Sequence, residues 1–259
     1  MKRISSRDNP AFKALRQLSS DAGARRDARV AVLEGVHLAD AFLRSRGVPR
    51  QIVVGASALD HREVAELLSR APTDALLVLD DALFASISQL AQGVALLMVV
   101  ERPAPAPPER VVRSAVVLDR IQDPGNVGSI LRSAAVAGIV DIFLSRDCAG
   151  AWSPKVLRAG MGAHFHLSIF EDADLSALRA NAAIPWIATS PHADATIHRT
   201  DLRGEVAWVF GHEGQGLDAA LMRDALKVRI PQPGQGESLN VAAAAAICFF
   251  EQVRQRDAG

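Results

Sequence analysis

The sequence predicts an α/β protein in two parts, a small α/β domain followed by a larger one built on a mostly parallel sheet. Three observations predict this. Short apolar runs of strand length alternate with segments of helical periodicity along the whole 259 residues, as expected of a sheet with helices on both faces. A proline-rich stretch, ERPAPAPPERVVR at 101–113, interrupts the alternation, and proline stiffens and extends a chain. Hydrophobic residues make up 49% of the chain and charged residues 22%, a balance that supplies a core and excludes a disordered chain.

In the first part, residues 1–100, a helical pattern covers 8–20, ARVAVLEG reads as a strand and VHLADAFLRS as a helix. QIVVGAS reads as the next strand, 60–70 as a helix, ALLVLD as a strand, a short helix follows near Leu83, and VALLMVV closes the set. Each strand is a run rich in β-branched or aliphatic residues between turn-forming neighbours. After the linker at 101–113, residues 114–259 resume with AVVLD, a helix from Asn126, DIFLS and HFHLSIF. A helix near Leu175, PWIAT, EVAWVFG, a helix from Leu217, KVRI and a terminal helix from Ser238 complete it. His164 and His166 alternate within the expected strand HFHLSIF; without a carboxylate or a third ligand they read as structural.

Composition removes several function classes. Cys148 and Cys248 are far apart and have no metal-ligand spacing, which reads as buried thiols in a reduced, cytoplasmic protein. The amino terminus lacks the apolar core of a signal peptide. The longest apolar run, 241–250, is ten residues, about half of the ~20 needed to span a bilayer. Net charge is zero, yet residues 1–50 carry 11 Lys/Arg against 5 Asp/Glu, while 114–259 carry 13 against 16. The basic arm is either a solvated helix face or a contact for a polyanion. The chain has no Tyr and few aromatics, which disfavours a base-stacking platform and leaves shape and phosphate contacts.

In parallel α/β sheets, ligands bind beyond the carboxyl ends of the strands, and three loops of the second part stand out there. In LDRIQDPGNVGSILRSAAVAG (118–138), Asp123-Pro124-Gly125 reads as a turn and Asn126 as a helix N-cap. Val127, Ile130, Leu131, Ala134 and Ala135 form a buried stripe, and Arg132 falls on the opposite face. There it is either a solvated residue or a planar fork for phosphate. VFGHEGQGL (209–217) has glycines for close backbone approach to a ligand but not the spacing of a dinucleotide fingerprint. Its His-x-Glu has no companion Pro-Cys-x-x-Cys, so a zinc deaminase is unsupported. Glu213 in this loop reads as a solvated charge or a site acid. In IPQPGQGESLNVAAAAAICFF (230–250), Ser238 reads as the cap of the last helix, whose alanines allow close packing.

Taken together, N-V-G-S-I-L-R, then F-G-x-E-x-x-G-L, then I-P-x-x-G-x-x-x-S-L-N-V resemble the SpoU/TrmH-type branch of the SPOUT RNA methyltransferases. The resemblance covers the second part, including SPKVLRAGMGAHFHL and the ATS that ends a middle strand. The first part, mainly through VLEGVHLADAF, resembles the small RNA-binding domain of ribosomal-protein L30e type. This similarity implies a SPOUT domain with a parallel sheet and a deep trefoil knot, preceded by an L30e-like substrate-binding domain. It implies an S-adenosylmethionine-dependent, metal-free methyltransferase acting on a ribose 2′-hydroxyl of rRNA or tRNA as a homodimer. Matched position by position, it places the cofactor at Thr189, Gly211, Ile230 and Leu239, and the reaction at Asn126, Arg132, Glu213, Ser238 and Asn240. Arg7, Lys13 and Arg16 are the expected RNA contacts of the basic arm. One departure is Ala242, where the family commonly has Ser; it removes one helix-start hydrogen bond. An RNA base methyltransferase of the same superfamily and a non-catalytic RNA-binding or assembly protein are the alternatives.

Overall fold

The computed structural model describes residues 2–45, 47–90, 92–223, 225–235 and 238–258; Gly236 and Glu237 of the loop QPGQGE lie outside them. The chain forms two compact units, one made of 1–103 with 152–165, the other of 104–151 with 166–259.

The first unit begins with β1 (Lys2–Ile4), α1 (Pro10–Ser20), α2 (Ala22–Asp27), β2 (Val30–Glu34) and α3 (Val36–Arg44). It continues with β3 (Gln51–Gly55), α4 (Arg62–Leu68), β4 (Leu76–Leu79), α5 (Asp81–Ala85) and β5 (Leu96–Glu101). The sheet order is β1-β4-β3-β5-β2, with β1, β4 and β3 parallel and β5 antiparallel to both neighbours. Apolar residues fill nearly every position of these strands, so both faces are covered. Phe12 and Leu15, three apart on α1, pack with Val32, Val53 and Leu97 of the sheet. Asn9 starts α1 by accepting the Ala11 N–H, with Pro10 supplying a fixed φ in the first turn.

The second unit carries β6 (Ala115–Asp119), α6 (Pro124–Val136) and β7 (Asp141–Leu144). Next in the chain, α7 (Pro154–Gly160) belongs to the first unit, where Arg158 lies 3.6 Å from Glu34. The second unit resumes with β8 (Ser168–Phe170), α8 (Leu175–Ala180), β9 (Trp186–Thr189), β10 (Ala207–Gly211), α9 (Ala219–Arg223), β11 (Leu226–Val228) and α10 (Val241–Asp257). All six strands are parallel, in the order β11-β9-β10-β6-β7-β8. The chain builds outward from β6 through β7 and β8, then crosses to the other side for β9, β10 and β11. The loops that follow β6 and β10 therefore part from each other at a topological switch point, where such sheets open a crevice. On the sheet faces, Val117, Phe143, Trp186 and Val209 join one buried cluster, and α10 packs against α6 and β10.

Several local readings are corrected. HFHLSIF is not one strand: Ala163–His166 is a 3-10 turn and only Ser168–Phe170 pairs with β7. His164 is buried against Trp152, with ring centroids 5.3 Å apart. A large aromatic neighbour and the left-handed backbone at Met161 and Gly162 bend the chain where alternation alone suggested extension. The helix expected over 60–70 is the shorter α4, and a 3-10 turn, Ala56–Asp60, precedes it. Cys248 is buried, but Cys148 is only partly so. Asn126 and Ser238 do not cap their helices; Asp123 and Asn240 do.

Candidate active site

The two displaced caps explain how the site is assembled. Asp123 precedes Pro124, the first residue of α6, and its carboxylate accepts the Asn126 N–H at 2.8 Å. That satisfies one of the open donors at the helix start and leaves the Asn126 side chain free. At the start of α10, the Asn240 side-chain oxygen accepts the N–H groups of Ala242 and Ala243 at 2.9 and 3.2 Å. Its amide nitrogen then points away from the helix and donates to the Asn126 oxygen at 2.9 Å. Asn126 in turn donates from its own amide nitrogen to Glu213 at 3.0 Å. The three side chains form one directed chain, from the α10 helix start through Asn240 and Asn126 to the Glu213 carboxylate. Both amide orientations follow from the partners on either side.

Glu213 also accepts the Asp123 N–H at 3.3 Å and the Gln122 N–H at 3.5 Å. Partial burial raises its pKa, but the Asn126 amide and the backbone N–H groups of Glu213, Asp123 and Gln122 outweigh that, so the carboxyl sits below its ordinary value. The residue is thus an anion tying the loop after β10 to the loop after β6. The loop after β10 is shaped from within. His212 Nδ1 accepts the N–H groups of Gly214 and Gln215 at 2.9 and 3.2 Å, and the His212 carbonyl accepts the Gly216 N–H at 2.8 Å. A side chain at Gly211 would collide with the backbone of Gly216 and Leu217, so only glycine lets the loop fold back on its strand.

This folded loop and the start of α10 enclose a cavity of about 440 Å³. Thr189, Gly211, Glu213, Ser238, Leu239 and Asn240 line it, together with apolar atoms of Leu217, Met222, Val241 and Ala244. Six of the nine residues expected at the catalytic and cofactor positions meet here, and Asn126 joins them through its two hydrogen bonds. Two stand apart. Ile230, just past β11, is not part of the lining. Arg132 is exposed on α6, six residues and so roughly 9 Å along the axis from Asn126. Among the described residues it has no hydrogen-bond or ion-pair partner. Arg7, Lys13 and Arg16 are exposed in the first unit, Lys13 paired with Asp8 at 3.1 Å.

Sequence reasoning missed Asp123 and His212 as parts of this site. Asp immediately before a helix-starting Pro is a cap signature that could have found the first. Among the described residues, no group of three or more His, Cys, Asp or Glu could hold a metal ion, and no helix is long and apolar enough to cross a membrane.

Fold and site define an α/β domain with a mixed polar and apolar ligand cavity at the switch point of a parallel sheet. Residues 113–250 match the model of the SpoU rRNA methylase family. An uncharacterized tRNA/rRNA methyltransferase of Synechocystis sp. is 34% identical, over 98% of this chain and 94% of its own. The 23S rRNA (guanosine(2553)-2′-O)-methyltransferase RlmP of Bacillus subtilis is 28% identical, over 96% of this chain and 98% of its own. Among solved structures, the SpoU methyltransferase AviRb of Streptomyces viridochromogenes in complex with the cofactor AdoMet superposes with a TM-score of 0.84 at 26% identity, covering 97% of this chain and 99% of that one. The chain belongs to the SpoU rRNA methylase family of SPOUT-class enzymes.

Proposed function

We infer that the protein is an S-adenosylmethionine-dependent methyltransferase that modifies a ribose 2′-hydroxyl of rRNA or tRNA. The observation that carries this is the Glu213–Asn126–Asn240 chain at the rim of a cavity that also holds Gly211, Thr189 and Leu239. The cavity suits the cofactor chemically. Leu217, Met222, Leu239 and Val241 offer an apolar wall for a purine. Thr189, Ser238 and Asn240 offer partners for polar ends, and the Glu213 anion favours a sulfonium cation nearby. When bound, the cofactor supplies a methyl group already activated on that sulfonium, so no metal is required.

The residues then align and polarise. Asn126 and Asn240 are held by partners on both sides, which fixes their positions without reorganisation during reaction. Alignment of the ribose oxygen in the site supplies the larger part of the rate as effective concentration. We assign Arg132 to an RNA phosphate beside the target ribose and to the developing alkoxide. Its exposure, and the lack of a partner for it among the described residues, suit the guanidinium fork to that. A guanidinium with a pKa above ~12 is not suited to act as the base.

Around this centre we place four further features. The second unit carries the deep trefoil knot of its family. Two subunits pair through the exposed Ile247 and Phe250 of α10, so Phe250→Glu should yield monomers in light scattering; an unchanged mass would refute the pairing. The first unit is an L30e-like RNA-binding domain using Arg7, Lys13 and Arg16, and changing all three to Glu should weaken RNA binding while S-adenosylmethionine binding stays intact. Equal RNA affinity would refute that assignment. The enzyme works in the cytoplasm, in keeping with its free cysteines Cys148 and Cys248. The activity itself is tested with methyl-labelled cofactor and rRNA or tRNA: label must be transferred to RNA, and none is transferred if the inference fails.

A further inference from the structure

Arg120 follows the last residue of β6 with φ +57°. A non-glycine residue in the left-handed region is strained, and such strain persists where the surrounding structure holds it. Here the backbone N–H of Arg120 donates to Ser145 Oγ at 2.9 Å. The left-handed turn sends the guanidinium back over its own neighbour. Nε donates to both Asp119 carboxylate oxygens at 3.1 and 3.2 Å, and Nη2 donates to Asp119 Oδ2 at 3.0 Å. The remaining donors reach the loop after β10, with Nη1 to Gln215 Oε1 at 3.1 Å and Nη2 to the Gly216 carbonyl at 3.4 Å. Asp119, buried at the strand end, also accepts the Asp218 N–H at 3.0 Å.

Asp119 and Arg120 therefore grip residues 215, 216 and 218, which are the far side of the loop whose near side carries Gly211 and Glu213. Gly216 and Leu217 line the cavity between these grips. The grip is independent of the Glu213–Asn126–Asn240 chain, since no residue is shared between the two networks. Its place in the fold is also telling: β6 and β10 are adjacent and in register through Asp119 and Gly211, so Arg120 fastens the loop at the point where the two strands diverge.

We propose that Arg120 is a positioning residue for the methyl-donor cavity, setting the height of the 211–218 loop through Gln215 and Gly216. This rests on the reading that the cavity holds S-adenosylmethionine. The planar fork matters, because one cation must serve a carboxylate, an amide oxygen and a backbone carbonyl at once.

The test measures S-adenosylmethionine affinity by calorimetry, with KM for the cofactor and for RNA, in Arg120→Gly, Arg120→Lys and Gln215→Ala. Glycine relieves the positive φ while removing the fork. Should it leave Asp119 too exposed a liability to fold, Asp119→Asn/Arg120→Gly removes both charges together. The expected result is a rise in cofactor Kd and KM of about tenfold for the glycine variant, a smaller rise for Arg120→Lys and Gln215→Ala, and an unchanged KM for RNA. Wild-type cofactor affinity in the folded glycine variant overturns the proposal, as does an equal rise in both KM values, which is what a general loss of structure produces. Failure of the unaltered chain to bind S-adenosylmethionine overturns the cavity assignment itself, and with it the positioning role.

Discussion

Asn126 offers the sharpest separation between a helix cap and a site residue. In Asn126→Ala the side chain loses a bond to an ionised carboxylate at 3.0 Å and a bond from the Asn240 amide at 2.9 Å. Hydrogen bonds to charged groups contribute about 1.5–3 kcal/mol and neutral ones about 0.5–1.5 kcal/mol. Both bonds lie at the solvent-exposed rim, so the lower part of the combined range applies, about 2 kcal/mol. If the chain orients groups for the reaction, that is roughly a 30-fold loss in kcat/KM. The start of α6 should keep its cap, because Asp123 supplies it and needs only the Asn126 backbone N–H. Asp123→Ala should behave in the opposite way, costing about 1 kcal/mol of stability as a lost cap. Methyl transfer to RNA and thermal unfolding, measured on both variants, check this. Full turnover in Asn126→Ala, or a loss of turnover in Asp123→Ala as large as that in Asn126→Ala, would refute the reasoning.

Three other perturbations have definite outcomes. Arg132→Ala should nearly abolish methyl transfer and leave S-adenosylmethionine binding intact, since Arg132 does not line the cavity; a cofactor titration beside a transfer assay checks both. Gly211→Ala forces a side chain into the backbone of Gly216 and Leu217, which should cost about 1–3 kcal/mol and abolish cofactor binding, read by thermal unfolding with and without cofactor. Glu251, buried on α10, is held at a pKa of about 2 chiefly by hydrogen bonds from Arg254, against desolvation, with help from Gln255 and His198. A carboxyl depressed in the folded state stabilises above its unfolded value, near 4.5, and loses that contribution as pH falls toward 2. Glu251→Gln should therefore cost about 2 kcal/mol at neutral pH and little near pH 2, as measured by denaturant unfolding across that range.

The parallel sheet was legible because strands buried on both faces read as unbroken apolar runs, as AVVLD and DIFLS do. The loop after β10 was legible as a glycine-rich turn, and the glycine at 211 is required by the close approach of the Gly216 and Leu217 backbone. The helix caps were not. Asp123, Asn126, Ser238 and Asn240 all have side chains that can accept from a helix start, and a shift of two or three residues exchanges a cap for a free amide. Only the fold, by bringing Glu213 to Asn126, decides which of them is free. His164 and His166 misled for a related reason. Alternation over a few residues cannot register the left-handed turn at Met161 and Gly162 that bends them into a 3-10 turn. Arg120 was invisible because its importance lies in a φ value and in contacts 95 and 96 residues away.

The most direct test of the central claim is the chemical identity of the product. RNA from cells with and without the protein, mapped for alkali-resistant linkages, should differ at a nucleotide whose ribose carries a 2′-O-methyl group, and Asn126→Ala and Arg132→Ala should each reduce that signal. A methyl group found on a base, or no difference between the two RNA samples, would contradict the account.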